Sequence, residues 1–293
     1  MKKPPRMMPA LVTPFDSSGD IDLEAHAYNV AFLEKKGVDG FLLCGSTGEG
    51  PYIDPGERRL LVGATRELAD DAFLLCGVAA QSIRQAIAQV EEAAEGGADA
   101  ALVMTPTTMA RTRPDAMATF YRTLEDAAPI PILLYSVPAV TALELSIDDA
   151  VSLAARPNIV GMKDSGGQPV RVQQITGATS EFRVFAGASA AIALSVAAGG
   201  YGAITASANY APTLVREVVD AARKGLDKAA EAQERLAGLS RLVDTRGVPG
   251  VKLAAEIAGL RPGVPRLPLQ PLSQDEASTI RRQLEALKGQ LLG

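Results

Sequence analysis

The chain of 293 residues is poor in the side chains on which many enzymes depend. It has one histidine, His26, so a histidine-rich metal centre is excluded and a catalytic histidine would have to be this residue. Its two cysteines, Cys44 and Cys76, are too few for a four-thiolate zinc site. Both lie in apolar stretches, which favours burial as free thiols. Without a disulfide framework, we expect a reducing, cytoplasmic compartment.

The charges and the apolar stretches exclude further classes of protein. The chain has 29 basic and 34 acidic residues, a net charge of −5 that argues against nucleic acid or an anionic membrane as the main partner. Residues 184–215 carry no charge, but small and hydroxylic residues dominate them, and Gly199, Gly200 and Pro212 interrupt them. A helix followed by a buried strand explains this stretch better than a membrane span does. The N-terminal residues lack the apolar core of a signal peptide.

Short apolar runs recur along the chain and alternate with amphipathic segments. The runs are residues 8–15, 40–45, 72–78, 100–106, 131–137, 159–165, 182–187 and 201–207. Continuous apolar runs of this length are typical of strands that are buried on both faces of a parallel sheet. Eight strand–helix units predict an α/β fold, the (β/α)8 or TIM barrel, over residues 1–210. Residues 211–293 lack strand signals and predict a C-terminal helical extension.

Several helix starts are also marked. Asp54 is predicted to be an N-cap with Pro55 at the first helical position. Ser82 has the same capping character, and Ser273 with Glu276 forms a capping box at the start of the last helix. A proline-rich connector, residues 261–271, precedes that helix.

Lys163 is the strongest chemical signal in the sequence. It is the only lysine between Lys36 and Lys224, and it stands at the end of the sixth apolar run. Because burial disfavours the charged ammonium, a lysine at the end of a barrel strand is suited to act as a neutral amine nucleophile. The alternative is a surface lysine, or one that pairs with Asp164.

Two further polar clusters stand at strand ends. Tyr135 ends the fifth run and is either a core tyrosine or the acid–base group that a lysine imine needs. Residues 45–49, GSTGE, offer backbone N–H groups and two hydroxyls, which suit a carboxylate or phosphate, although a plain turn remains the alternative. Glu49 is expected either to cap the following segment or to act in the site.

Five motifs in order give the sequence a specific resemblance. They are LVTPF (11–15), GSTGE (45–49), Y-x-x-P (135–138), GMKDSGG (161–167) and GAITASAN (202–209). The sequence resembles the pyruvate-dependent class I aldolases and lyases typified by dihydrodipicolinate synthase and N-acetylneuraminate lyase. The resemblance implies that Lys163 forms a Schiff base with a 2-oxo acid and that Tyr135 donates and accepts protons. It also implies a homotetramer, with no metal and no organic cofactor.

The resemblance implies four more roles in the site. Ser46, where the family usually has Thr, belongs to the proton relay, and Thr47 helps to hold the substrate carboxylate. Ile204 lies beside the bound pyruvate, and Ser165 is expected to contact substrate. The implied partner is a small 2-oxo acid with a pyruvate moiety.

Within the family, YSVPA (135–139) and RGVPGVK (246–252) look most like the 4-hydroxy-2-oxoglutarate aldolase branch. Val140 stands where dihydrodipicolinate synthase has an Arg for its second substrate. Thr107 and Thr108 replace tyrosines, of which the second reaches into a neighbouring subunit's relay. Arg111 and Arg113 follow in the same loop, either to bind a distal carboxylate or, as the simpler interpretation, as solvated charges.

The best hypothesis is therefore a Schiff-base lyase that cleaves a 4-hydroxy-2-oxo acid, as 4-hydroxy-2-oxoglutarate aldolase does. The alternative within the family is 4-hydroxy-tetrahydrodipicolinate synthase, which condenses pyruvate with aspartate semialdehyde. An alternative of another class is a non-catalytic barrel that binds 2-oxo acids. The aldehyde substrate cannot be identified from the sequence.

Overall fold

Eight short parallel strands form one sheet in the computed structural model, which describes residues 2–287. They are β1 (Met7–Pro9), β2 (Gly40–Leu43), β3 (Phe73–Val78), β4 (Ala100–Met104), β5 (Ile132–Ser136), β6 (Ile159–Asp164), β7 (Arg183–Ala186) and β8 (Gly202–Thr205). Nearly all of their residues are buried, because side chains inside the barrel and side chains beneath the helices are both shielded from water.

The order of the strands closes the sheet on itself. Neighbours run from β2 through β3 to β8 in chain order, and β8 pairs with β1. The remaining gap is closed by one parallel bridge between Ala10 and Leu42, beside which the Leu11 N–H donates to the Leu42 carbonyl at 2.9 Å. The predicted (β/α)8 barrel is therefore confirmed.

Helices follow the strands. The helices are α1 (Leu23–Lys35), α2 (Glu57–Leu68), α3 (Ile83–Glu95), α4 (Pro114–Ala127), α5 (Pro138–Thr141), α6 (Ile147–Ala154), α7 (Pro169–Ala178), α8 (Ile192–Ala197), α9 (Pro212–Ala222), α10 (Leu226–Val243), α11 (Gly247–Ile257) and α12 (Gln274–Glu285). Helix α9 packs against β1 and β8, while α10, α11 and α12 contact one another. The division of the chain at residue 210 stays a prediction, and residues 288–293 of its second part lie outside the described residues.

The predicted N-cap residues were correct at two helices and wrong at a third. Ser82 and Ser273 cap α3 and α12, and Ser273 forms the predicted capping box. Helix α2 begins at Glu57, and its N-cap is Gly56 at φ +89°, so the prediction of an Asp54 cap was wrong. Residues 54–56 instead form a turn in which the Asp54 N–H donates to the Glu57 carboxylate at 2.7 Å.

The first strand is also shorter than the apolar run that predicted it. It ends at Pro9, although the run extends to residue 15. Beyond Leu11 the chain leaves the parallel ladder, and the Val12 N–H donates to the Asn209 amide oxygen at 3.0 Å. Residues 10–15 therefore lie across the mouth of the barrel, close to the loops that follow β2 and β8.

The uncharged residues 184–215 contain most of β7, all of α8 and β8, and the start of α9. This alternation matches the interpretation as a helix and a buried strand. Among residues 2–287, no helix combines the length and apolar character needed to cross a bilayer.

Candidate active site

Lys163 points into the barrel. In β6 it is in register with Tyr135 of β5 and Phe185 of β7, and both of these neighbours belong to the apolar cluster inside the barrel. Residues in register on adjacent strands share a face, so the lysine shares this interior. Its side chain is 4% exposed. Among residues 2–287, no carboxylate oxygen lies within 4.0 Å of the Lys163 Nζ.

Asp164 faces the other side of the sheet. Its carboxylate accepts from Arg171 Nε of α7 at 2.6 Å and from the Gly166 N–H at 2.9 Å. The Arg171 guanidinium also donates to the Leu145 carbonyl. The alternative in which Lys163 pairs with Asp164 is therefore wrong, because consecutive strand residues point to opposite faces and Arg171 already neutralises the aspartate.

The Tyr135 side chain links the lysine to the turn that follows β2. Lys163 Nζ lies 4.7 Å from the centre of the Tyr135 ring. The Tyr135 hydroxyl lies 3.3 Å from Ser46 Oγ, and either oxygen can be the donor. An amine, a phenol and a hydroxyl thus lie side by side, a set that can form an imine and move protons.

The turn after β2 is held by contacts from elsewhere in the chain. Ser46 and Thr47 are half-buried, and the Thr13 hydroxyl donates to the Gly48 carbonyl at 2.7 Å. Glu49 adopts a left-handed conformation at φ +59°, which is uncommon for a residue with a side chain. Such a conformation persists only when the surroundings hold it in place.

The Glu49 side chain supplies much of that support. Its Oε1 lies 2.7 Å from Lys252 Nζ of α11, and its Oε2 accepts from the Arg266 N–H at 2.7 Å. Lys252 also donates to the carbonyls of Thr13 and Val264. Burial lowers the pKa of Lys252, and the Glu49 carboxylate opposes this effect. Glu49 therefore stands at the N-cap of the following helical turn without a side-chain capping bond, and its carboxylate ties the turn to the C-terminal helices.

A cleft of about 660 Å³ opens above these groups, between the barrel mouth and the C-terminal helices. Ser46 and Thr47 line it, whereas Lys163 and Tyr135 do not. Tyr135 instead borders a cavity of about 10 Å³ that shares Ser46 and Met104 with the cleft. The lysine and the phenol therefore lie below the floor of the cleft. The other lining residues are Glu49, Pro51, Tyr52, Val140, Ala206, Asp244, Arg246, Gly247, Val248, Pro249, Val251, Pro268, Leu269 and Gln270.

Two more of the predicted residues lie around the lysine, together with a glycine that the sequence analysis missed. Ile204 is fully buried in the same interior cluster as Tyr135. At Gly187, which follows β7, a Cβ atom would lie 2.0 Å from Ser165 Oγ and 2.9 Å from Lys163 Cε. Ser165 and the lysine are thus neighbours, and only glycine fits beside them without displacing either one.

The loop after β4 is bonded to Gln81 in the loop after β3, and neither Thr107 nor Thr108 lines the cleft. The Thr108 hydroxyl donates to the Gln81 amide oxygen at 2.8 Å, and the N–H groups of Thr107 and Thr108 bond to the same oxygen. Arg113 is exposed and forms two hydrogen bonds with Asp115. It therefore fits the solvated alternative, while the side chain of Arg111 lies outside the described part of the structure. Within residues 2–287, no three His, Cys, Asp or Glu side chains cluster so as to hold a metal ion.

Comparison with known proteins agrees with this geometry. The 4-hydroxy-tetrahydrodipicolinate synthase of Methanosarcina mazei is 32% identical over 285 residues, covering 96% of this chain and 97% of its own length. The crystal structure of a dihydrodipicolinate synthase from Bacillus anthracis superposes with a TM-score of 0.92 at 26% identity, over 98% of this chain and 99% of that one. A third match is YagE, a prophage protein of the dihydrodipicolinic acid synthase family from E. coli K12 whose crystal structure was solved with pyruvate. It superposes with a TM-score of 0.88 at 27% identity, over 96% of this chain and 98% of that one.

These names favour the synthase alternative over the 4-hydroxy-2-oxoglutarate aldolase hypothesis, and an enzyme over a non-catalytic barrel. The protein is thus a pyruvate-dependent lyase of the class I aldolase type, a class that works through a Schiff base. A model of the dihydrodipicolinate synthetase family matches residues 3–287, and the chain belongs to that family.

Proposed function

We propose that the enzyme is a 4-hydroxy-tetrahydrodipicolinate synthase that condenses pyruvate with aspartate semialdehyde. The observation that carries this proposal is Lys163, an amine that is buried in the barrel without a carboxylate partner and lies 4.7 Å from the Tyr135 ring. The relatives of that name, which match almost the whole chain, support the choice of substrates.

In this proposal the neutral Lys163 amine attacks C2 of pyruvate, water leaves, and an imine joins the two. Loss of a proton from C3 gives an enamine, whose C3 bonds to the aldehyde carbon while the aldehyde oxygen takes up a proton. The amino group of the aspartate semialdehyde then adds to C2 of the resulting iminium, and the Lys163 amine leaves, which closes the ring and frees the enzyme. Tyr135 carries these protons, with the Ser46 hydroxyl 3.3 Å away as the next group in the relay. The iminium is itself the electron sink, so these steps call for neither a metal nor an organic cofactor.

The remaining groups hold the substrate. Ser46 and Thr47 bind the pyruvate carboxylate through their hydroxyls and the N–H groups of the turn. Ile204 packs beside the bound pyruvate, and Ser165 contacts it next to Gly187. The cavity of about 10 Å³ beside Tyr135 shares Ser46 with the cleft, so the proposed pyruvate site lies where the two meet.

A second candidate function is the cleavage of 4-hydroxy-2-oxoglutarate to pyruvate and glyoxylate. One observation favours it: Val140 stands where dihydrodipicolinate synthase has the Arg for its second substrate, and this valine is exposed in the wall of the cleft. The same lysine, phenol and turn serve this reaction, which is an aldol step run in the direction of cleavage.

Borohydride reduction in the presence of pyruvate tests the chemistry that both candidates share. We expect one reduced pyruvyl group on Lys163, located by peptide mass spectrometry, and none in Lys163→Ala. Lys224→Ala, which removes an exposed lysine, is the matched control and should be labelled like the wild type. The absence of label on the wild-type lysine would overturn the proposal.

Turnover then separates the candidates. Rapid condensation of pyruvate with aspartate semialdehyde supports the synthase, and pyruvate release from 4-hydroxy-2-oxoglutarate supports the aldolase. Labelling without turnover of any 2-oxo acid would instead favour a barrel that only binds its ligand.

We also propose that the enzyme works as a homotetramer in the cytoplasm. Both cysteines are free and buried, which suits a reducing compartment. Met109, in the loop after β4, is 83% exposed, and an apolar side chain of this kind is available for a subunit contact. Sedimentation of the purified protein tests the assembly, and a monomer at working concentration would contradict it.

A further inference from the structure

Among residues 2–287, Arg246 is the only cationic side chain that lines the cleft above Lys163. It occupies the N-cap of α11, in the segment that joins the C-terminal helices to the mouth of the barrel. The same cleft is lined by Ser46 and Thr47, so this guanidinium and the proposed site for the pyruvate carboxylate border one space.

Hydrogen bonds orient the Arg246 guanidinium, but one of its N–H donors has no acceptor among the described residues. Its Nη1 donates to the Leu242 carbonyl at 3.0 Å and to the Thr245 hydroxyl at 2.9 Å. Its Nε is buried and has no hydrogen-bond partner among residues 2–287. No carboxylate in that range lies within 4.0 Å of the guanidinium. A buried donor without a partner is costly, and a ligand with acceptor oxygens would satisfy it.

Neither acidic residue of the cleft forms an ion pair with this guanidinium. Glu49 is paired with Lys252 at 2.7 Å. Asp244 accepts from the Tyr210 hydroxyl at 3.2 Å. In addition, Gly247 and Val248, the first residues of α11, line the cleft, so the positive end of a helix dipole lies there beside the guanidinium. Two independent features therefore favour an anion at this wall.

We propose that Arg246 binds the carboxylate of the second substrate, the one that lies away from the reacting carbonyl, and so makes the enzyme prefer aldehydes that carry an acid group. This inference rests on the proposed function, in which pyruvate occupies the floor of the cleft. The carboxylate of aspartate semialdehyde lies two carbons beyond the aldehyde, as this assignment requires, whereas that of glyoxylate is bonded directly to the aldehyde carbon. Val140, in the same cleft, cannot supply the charge.

The test compares a charged with an uncharged aldehyde in Arg246→Gln. We expect KM for aspartate semialdehyde to rise by about 10- to 100-fold, as is typical when a hydrogen bond to a charged group is lost. The rate with propanal and the borohydride labelling of Lys163 by pyruvate should stay unchanged. Arg241→Gln, which changes an exposed arginine on α10, is the matched control and should behave as the wild type.

Two further variants sharpen the test, and the first keeps it decisive if Arg246→Gln folds poorly. Arg246→Lys retains the charge but not the fork of donors, and should show a smaller rise in KM confined to the charged aldehyde. Val140→Arg placed in Arg246→Gln returns a cation to the cleft and should restore much of the preference.

The outcomes also separate this inference from the proposed function. Equal KM changes for charged and uncharged aldehydes, or loss of pyruvate labelling in Arg246→Gln, would overturn the role of Arg246. Failure of the wild type to be labelled by pyruvate would instead overturn the proposed function itself.

Discussion

Lys252 Nζ lies 2.7 Å from Glu49 Oε1, and the two side chains are 4% and 0% exposed. This buried ion pair joins α11 to the turn that carries Ser46 and Thr47. The Lys252 ammonium also lies 5.0 Å from the centre of the Phe15 ring and donates to the Thr13 carbonyl at 2.9 Å. One cation therefore connects the barrel mouth, the proposed carboxylate-binding turn and the C-terminal helices.

Removal of that cation leaves Glu49 buried and unpaired. We expect Lys252→Met to lower the free energy of unfolding by about 3–5 kcal/mol, measured by urea denaturation. The double variant Glu49→Gln/Lys252→Met should lose less unfolding free energy than the sum of the losses in the two single variants, because it removes both charges. Additive losses would show that the two groups do not interact.

Tyr135→Phe removes the proposed proton carrier and leaves the amine. We expect kcat to fall by about 10²- to 10⁴-fold, the usual contribution of a general acid–base group, while borohydride still labels Lys163 with pyruvate on long incubation. Ser46→Ala should have a smaller effect on kcat, since water can replace a relay hydroxyl. Complete loss of labelling in Tyr135→Phe would mean that the phenol is needed to form the imine itself.

Gly187→Ala tests the packing around the lysine. The added Cβ would lie 2.9 Å from Lys163 Cε and 2.0 Å from Ser165 Oγ, so both side chains must shift. We expect kcat to fall by about 10- to 100-fold with little loss of stability, since a small displacement of a reacting group is costly. Gly177→Ala in α7 is the control, because a Cβ there meets no atom within 4 Å. Equal activities of the two variants would contradict the argument.

His26 predicts a pH dependence of stability. Burial lowers its pKa from 6.5 to about 4. Its Nε2 lies 2.7 Å from Thr65 Oγ1, whose own proton goes to the Leu61 carbonyl, so the ring donates through Nε2 as the neutral form. Between pH 6.5 and 4 the unfolded chain binds the extra proton and the folded chain does not, so stability falls as the pH is lowered.

The loss from His26 alone amounts to about 3 kcal/mol across this window. Thermal unfolding of the wild type and of His26→Gln from pH 7 to pH 4 measures it. The variant should show a flatter profile. Parallel profiles would mean that other groups account for the pH dependence.

Much of the fold was predictable because its signals are local. Buried parallel strands need continuous apolar runs, and seven of the eight runs contain a whole strand while the first overlaps β1. Lys163 could also be predicted as a site residue, because it is the only lysine between Lys36 and Lys224 and stands at the end of an apolar run. Tyr135 and Ser46 followed from the motifs around them, and the structure places their oxygens 3.3 Å apart.

The contacts that shape the cleft could not be predicted in this way. Glu49 and Lys252 are far apart in the chain, and their pairing depends on how α11 packs over the barrel mouth. The same packing places Arg246 in the wall of the cleft. Gly187 gave no signal, because the need for glycine there comes from Lys163 on β6 and Ser165 just after it. Such features depend on tertiary packing, which neither periodicity nor capping residues encode.

The junction between β1 and β2 is the least hydrogen-bonded part of the sheet, since a single bridge from Ala10 to Leu42 closes it. Thermal opening of a β-structure starts where the fewest bonds must break. Thr13 lies just beyond this junction and holds the Gly48 carbonyl. Brief separation of β1 from β2 would therefore release the Thr13 side of the serine–threonine turn first, while the Glu49–Lys252 pair still holds its other side.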